Sequence, residues 1–395
     1  MKVNGVIFVK LSILYIITWC ISPPLSYGII YRIIALGAMS FLILWYLKRY
    51  NFKINKVCLK MTGVIAYILM LGVMTGDNID KRLAVVILFC FIFCAELIAE
   101  CDFNKSEFFS IIFVAFILCI VWNICSLKGI TETPNIMRLL AKNSGISRAY
   151  AERGVGGYSY VYTVVLLLPI GIDCMLNKIN TKIERMIAAI FVFTSYILVF
   201  QAQYFLAIIM SIFSLIVYMV LKIKNPYIRS IILIITTIAF LTIYINADKV
   251  IMALINMTDV RSIDLKLQSI NDLLINDGNI QDSEFGVRYE RYMKDLINIG
   301  THPLFGGFSY DVTGNHSHIL DFFAQYGVPF GIIYLCLLRH PLRHIKFKYY
   351  AAGLTSVLLF LIVLFLNTLA FSFGTIIYII MPVYYFKMQE RGKYG

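Results

Sequence analysis

Charge is scarce in this sequence. Only 14% of its 395 residues are Asp, Glu, Lys or Arg, against 60% hydrophobic, and mean hydropathy is +0.81. That balance excludes a soluble domain, whose surface has to be covered by polar groups. Nine cysteines occur without a Cys-x-x-Cys pair. Most (Cys20, Cys90, Cys94, Cys119, Cys125, Cys174, Cys336) lie within apolar runs, the placement of a small buried residue rather than of a disulfide or metal ligand. A Walker motif, a dinucleotide fingerprint and an Asp-x-Asp pair suited to a metal-bound nucleotide sugar are all missing. No internal repeat marks a transporter architecture. A cleavable signal peptide is not expected either, because Val6–Cys20 runs through Pro23-Pro24 straight into another apolar segment.

What is present is a series of long apolar runs. Crossing a hydrocarbon core takes roughly 20 mostly apolar residues as helix, and in lipid the helix satisfies its own backbone. The runs are Val6–Ile21, Gly28–Leu47, Met61–Thr75, Leu83–Ile98, Phe108–Leu127, Tyr160–Leu176, Met186–Phe200, Phe205–Leu221, Ile231–Ile245, Ile319–Leu338, Ala351–Leu369 and Phe373–Phe386. They predict an all-α, polytopic membrane helical bundle of about 12 transmembrane helices, a single integral membrane domain over 1–395. Alternate connections are basic: Lys48, Arg49, Lys53, Lys56 and Lys60; Lys178, Lys182 and Arg185; Lys222, Lys224 and Arg229; Arg339, Arg343, Lys346 and Lys348. The positive-inside rule puts those connections and both termini in the cytoplasm. The net charge of +13 is thus a topology signal, and the partner it implies is the lipid bilayer, not nucleic acid.

Two outer connections are long, 128–159 and 246–318, and loops of that length are functional or disordered. The second carries apolar residues throughout, so it is expected to fold as a large periplasmic loop. Within it Val287, Tyr289, Tyr292, Met293, Leu296 and Ile297 follow helical spacing, leaving Arg288, Arg291, Lys294 and Asp295 to the polar side. Gly300 and Pro303 would end that helix. Lys10, Arg32, Glu96 and Asp173 lie in or at the ends of runs, where snorkelling to a membrane face accounts for them.

Four arginines, Arg148, Arg153, Arg288 and Arg291, gather on the expected outer side against the topology bias. Arginine presents a planar fork that pairs bidentately with phosphate; the plainer alternative is pairing with Glu132, Glu152, Glu284 and Glu290. Three of the five histidines (His302, His316, His318) fall in the same region. His318, Asp321 and Gln325 share one helix face, at whose start His316 sits. An imidazole there can accept a hydroxyl proton and a carboxylate can orient it; a helix cap is the plainer use. His-Ser-His lacks further ligands at metal spacing, so no metal and no cofactor are expected. Gly306-Gly307 and Gly154-Val-Gly-Gly157 can let amides face an anion or can simply form turns.

These motifs resemble the O-antigen ligase/polymerase superfamily, and its repeat-unit (Wzy-type) polymerases in particular. Arg288 opens a loop helix; His302-Pro-Leu-Phe-Gly-Gly307, His316-Ser-His-Ile-Leu320 and Gly327-Val-Pro-Phe-Gly331 follow in the family order. The last pair carries one extra residue and a proline. Gln201-Ala-Gln203 stands where members often have Ser-Arg, and Arg153 is the substitute candidate. The resemblance implies a bacterial inner-membrane, multi-pass glycosyltransferase that polymerises polyprenyl-diphosphate-linked oligosaccharide units into O-antigen or capsule at the outer leaflet. It implies His316 and Arg288 as catalytic residues, with Arg153, Arg148, Arg291, Gly306, Gly307, His318 and Asp321 holding substrate. A chain-length regulator and a flippase are the implied partners. An O-antigen ligase acting on lipid A–core is the near alternative, and a lipid-linked oligosaccharide flippase the more distant one.

Overall fold

The computed structural model describes residues 2–49, 56–75, 79–100, 109–133, 136–142, 144–223, 225–232, 234–235, 284–308, 311, 313–347 and 350–391. Among the described residues there is no strand. The helices are α1 (Lys2–Ile21), α2 (Pro23–Tyr27), α3 (Ile29–Arg49), α4 (Lys56–Thr75), α5 (Ile79–Glu100), α6 (Phe109–Glu132), α7 (Ile136–Lys142) and α8 (Ser144–Glu152). They continue with α9 (Tyr158–Leu176), α10 (Lys182–Ala202), α11 (Phe205–Lys222), α12 (Glu284–Thr301), α13 (His318–Tyr326), α14 (Val328–Arg339), α15 (Ala351–Leu366) and α16 (Phe371–Glu390). Six of them, α3, α6, α9, α10, α11 and α16, are long and apolar enough to cross a membrane. Shorter apolar helices occupy Ile7–Ile21, Leu59–Thr75, Val85–Ile98 and Ala351–Leu366. The chain is a multi-pass helical membrane protein. Most of the ninth expected run, Ile231–Ile245, and much of the 246–318 loop lie outside the described residues. Within the 128–159 connection α6 continues to Glu132, and α7 and α8 follow.

The chain divides into two compact units, one of residues 1–214, 329–364 and 369–395, the other of residues 215–328 and 365–368. In the first, α9 and α16 are buried on nearly every side, as their all-round apolar sequences require. Polar pairs join them, Thr163 to Ser372 at 2.7 Å and the Tyr384 hydroxyl to Asp173 at 2.8 Å. A capping box, Thr181 with Glu184, opens α10, and the same glutamate takes Lys387 at 2.8 Å and Arg391 at 3.0 Å from the end of α16. Asp173 and Glu96 do not snorkel as expected: both are buried, Asp173 accepting from Tyr384 and Glu96 pairing with His340 at 2.8 Å. A carboxylate is retained in such a place only with partners.

The second unit holds α12, α13 and the segment between them. Two expectations fail here. The first concerns α12: Val287, Tyr289, Leu296 and Ile297 are exposed (Tyr289 55%, Ile297 60%) and Tyr292 and Met293 half-buried, while Asp295, placed on the polar side, is fully buried and Asn298 nearly so. Asn298 donates to the Ala324 carbonyl of α13 and Asp295 accepts from the Gly314 amide, so the packed face carries polar side chains. The second is the run Ile319–Leu338, which is not one helix. It breaks at Gly327, whose φ of 82° and ψ of 165° suit glycine alone, and Pro329 lies in the first turn of the helix that resumes. The break is a docking point. The amides of Gly307 and Phe308 donate to the last carbonyls of α13, Ala324 and Gln325, at 2.9 and 3.2 Å, and Val328 donates to Pro303 at 2.8 Å. Backbones meet so closely that a Cβ on Gly327 would stand 2.4 Å from the Leu304 oxygen, and one on Gly306 2.4 Å from that of Gln325.

Gly327→Ala should therefore destabilise the protein by about 1–3 kcal/mol from backbone strain alone, and further from the clash. Gly300→Ala, helical with open space around its α-carbon, should gain about 0.5–1 kcal/mol. Thermal unfolding in detergent distinguishes the two; equal behaviour would show that the break at Gly327 is not as described.

Candidate functional site

Arg288, Arg291, Tyr292 and Asp295 fall at i, i+3, i+4 and i+7 of α12, one face of the helix. Gly314 lies against that face at Arg291, so near that a Cβ would be 2.2 Å from the Arg291 carbonyl oxygen. Its N–H donates to Asp295 Oδ1 at 2.8 Å; the next N–H, of Asn315, donates to Asp321 Oδ1 at 2.8 Å. Asn315 adopts φ 56°, a left-handed conformation that asparagine tolerates better than most residues. This turn delivers His316 beside α12, with its Nδ1 3.5 Å from Arg291 Nη1 and its ring centroid 6.1 Å from that of Tyr292. His316 is not the cap of α13. Ser317 is, its hydroxyl accepting from Leu320 N at 3.2 Å.

Burial first, then the charges of Arg288 and Arg291, push the His316 imidazole down to about 4. It is neutral at pH 7. Because a guanidinium can only donate, Nδ1 must be the accepting nitrogen and Nε2 carries the proton. That Nε2–H is buried with no acceptor among the described residues, a state worth about 1–3 kcal/mol to any oxygen that satisfies it. Burial pushes the Asp295 carboxyl up, opposed by the Gly314 amide, the Asp321 side chain and Lys294. Among the described residues neither Arg288 nor Arg291 forms an ion pair with a carboxylate, so two guanidinium forks and a neutral imidazole share one edge. Chemically, that edge can bind a diphosphate-like anion and exchange a hydrogen bond with a neighbouring hydroxyl.

The other sequence candidates divide. Asp321 is in place, but as a buried acceptor for the Asn315 amide. Gly306 and Gly307 do not offer amides to a ligand: both N–H groups are used within the fold, on His302 and Ala324 at 2.9 Å each. Their role is close backbone approach. His318 opens α13, its amide on the Asn367 carbonyl at 3.0 Å and its ring 6.2 Å from Phe322. Arg148 and Arg153 belong to the first unit. Arg148 pairs with Glu152 at 3.3 Å on an exposed helix face, the plainer alternative for it; such pairs are worth little. Arg153 lies 5.6 Å over the Tyr150 ring. Sequence reasoning missed Asp295. The signal was available, since an acid seven residues after Arg288 lies on the same helix face.

Compared with protein-family models, curated proteins and solved structures, the chain has no match.

Proposed function

We propose that this protein is a membrane glycosyltransferase that polymerises polyprenyl-diphosphate-linked oligosaccharide units at the outer leaflet of a bacterial inner membrane. In this reading about 12 helices span the bilayer, the termini are cytoplasmic, and α12 and α13 belong to the outer loop. The observation that carries it is the juxtaposition of Arg288 and Arg291, on one face of α12, with a neutral His316 on the turn beside it. Arg288 and Arg291 would pair with the donor diphosphate. The bond from sugar C1 to the diphosphate oxygen breaks, its electrons staying on the diphosphate, where the guanidinium forks meet the growing charge. The acceptor hydroxyl oxygen bonds to C1 and its proton leaves through His316. Arg291 holds Nδ1 only loosely at 3.5 Å. A diphosphate that draws this fork away frees the Nδ1 lone pair, and its negative charge offsets two of the influences that keep the imidazole a weak base.

The test is reconstitution of the purified protein in liposomes with lipid-linked repeat units and excess EDTA. A ladder of lengthening glycans is expected, because a diphosphate leaves well without a metal. Turnover lost to EDTA and restored by a divalent ion would overturn the metal-free step. Transfer of glycan to added lipid A–core without elongation would assign the ligase reaction, and translocation without any transfer a flippase.

A further inference from the structure

Two carboxyl groups stand behind His316, and each has one oxygen committed to the same turn. Asp295 Oδ1 accepts from Gly314 N and Asp321 Oδ1 from Asn315 N, both at 2.8 Å. Successive amides of one turn are thus held by side chains from two different helices, α12 and α13. Asp295 is fully buried, its Oδ2 has no donor on it among the described residues, and the Asp321 side chain lies within hydrogen-bonding reach. Asp321 itself is 8% exposed. Two ionised carboxylates so placed repel each other; one proton between them converts the repulsion into a charge-assisted O–H···O⁻ bond.

We infer that Asp295 and Asp321 share a single proton and act together as the positioning pair for His316, clamping the Gly314–Asn315 turn between α12 and α13. Among the described residues, the charged and titratable groups near the pair include Arg288, Arg291, Tyr292 and Lys294 on α12, His316 on the turn and His318 on α13, three residues before Asp321. The Lys294 charge favours the ionised form of Asp295, which suits a pair that keeps one negative charge. Burial raising the Asp295 carboxyl agrees with a retained proton. Neither aspartate reaches substrate in this scheme; both act through the imidazole. The inference leans on the proposed glycosyl transfer only for what His316 is positioned to do, and its test uses no substrate.

Amide chemistry supplies that test. In Asp295→Asn the Oδ1 still accepts from Gly314, and the Nδ2–H can donate to Asp321 in place of the shared proton. Asp321→Asn works the same way in reverse. In the double variant both Oδ1 atoms are still taken by the turn, so two NH₂ groups face each other where the two carboxyl groups shared one proton. The full-length protein in detergent is followed by thermal unfolding and by NMR titration of its histidines, the His316 signal being assigned by its loss in His316→Gln. Each single Asn variant should unfold near the wild-type temperature and leave the His316 midpoint near 4, as the buried environment sets it. The double variant should lose far more stability than the two singles summed. Asp295→Ala, which releases the turn, should move the midpoint up toward 6.5. Singles as damaging as Asp295→Ala, or a double that is additive, would overturn the shared proton; a midpoint unmoved in Asp295→Ala would overturn the positioning role. If Asp295→Ala does not fold, the three Asn variants still decide. A protein that passes this cycle yet makes no glycan retires the proposed reaction and leaves the pair standing.

Discussion

Arg288→Ala is expected to lower the rate of glycan elongation about 10²–10³-fold, or 2.7–4 kcal/mol, comparable with losing one donor of an oxyanion-type site. Arg288 lies one helical turn before Arg291 and Tyr292, and its charge reaches the Tyr292 and His316 rings. A guanidinium placed there opposes charge that grows on a leaving diphosphate, a contribution larger in the transition state than in the bound ground state. The loss should therefore appear in kcat and not only in KM. Arg288→Lys should fall between, since it restores a point charge without the fork. Gly300→Ala, on the same helix and touching nothing, serves as control. Elongation is measured as polymer length and yield at matched protein level. A loss confined to KM would make Arg288 a ground-state anchor, and no loss would remove it from the site.

Much of what positions Arg288 was legible. The C-terminus of α12 was signalled by Gly300 and Pro303, and the helix does stop at Thr301. A count of charges on one predicted side grouped Arg288 and Arg291 with Arg148 and Arg153, and His316 fell in the same region of the sequence. The orientation of α12 did not follow. A helical period separates two faces but does not say which is packed. In a membrane protein the apolar environment need not be the protein core, so the buried face can be the polar one. Asp295 and Asn298 find their partners in Gly314 and Ala324, 19 and 26 residues away, and nothing local in the sequence announces such pairings.

The break at Gly327 illustrates a second limit. Twenty mostly apolar residues from Ile319 read as one span by hydropathy, because hydropathy is blind to φ. The local clue was Gly327-Val-Pro329, a C-terminal glycine followed by a proline suited to the first turn of a new helix. The docking of 303–308 onto that break could not be read in advance, since it depends on two glycines 21 residues apart, Gly306 lying against the backbone of Gln325 and Tyr326 and Gly327 against that of Leu304 and Phe305. Glu96 was hidden in the same way: its partner His340 lies 244 residues away, so a buried carboxylate hydrogen-bonded to a distant histidine looked like a charge near a membrane face.

The sharper expectation concerns His316. His316→Ala should reduce elongation about 10²–10⁴-fold, the range of general acid–base catalysis, while donor binding, carried by the two arginines, stays largely intact. His316→Gln separates the functions of the two ring nitrogens: it retains an N–H donor but cannot take up a proton. Substantial activity in His316→Gln would assign the work to the Nε2–H, and activity as low as in His316→Ala would assign it to Nδ1. The pH profile adds a signature. With the free imidazole held at about 4, the acidic limb of kcat/KM, which reports the free enzyme, should lie near that value and not near 6.5. The acidic limb of kcat should lie higher, because a bound diphosphate offsets the two guanidinium charges that help hold the imidazole neutral. Stability has a matching sign. A histidine whose folded value is depressed contributes fully above 6.5, and the contribution is lost as pH falls toward about 4. His316→Gln should abolish that part of the acid sensitivity. A kcat/KM limb that stays near 6.5 would mean that the imidazole is neither buried nor flanked by its arginines in the working enzyme, and near-normal polymer from both His316→Ala and Arg288→Ala would leave α12 a structural helix.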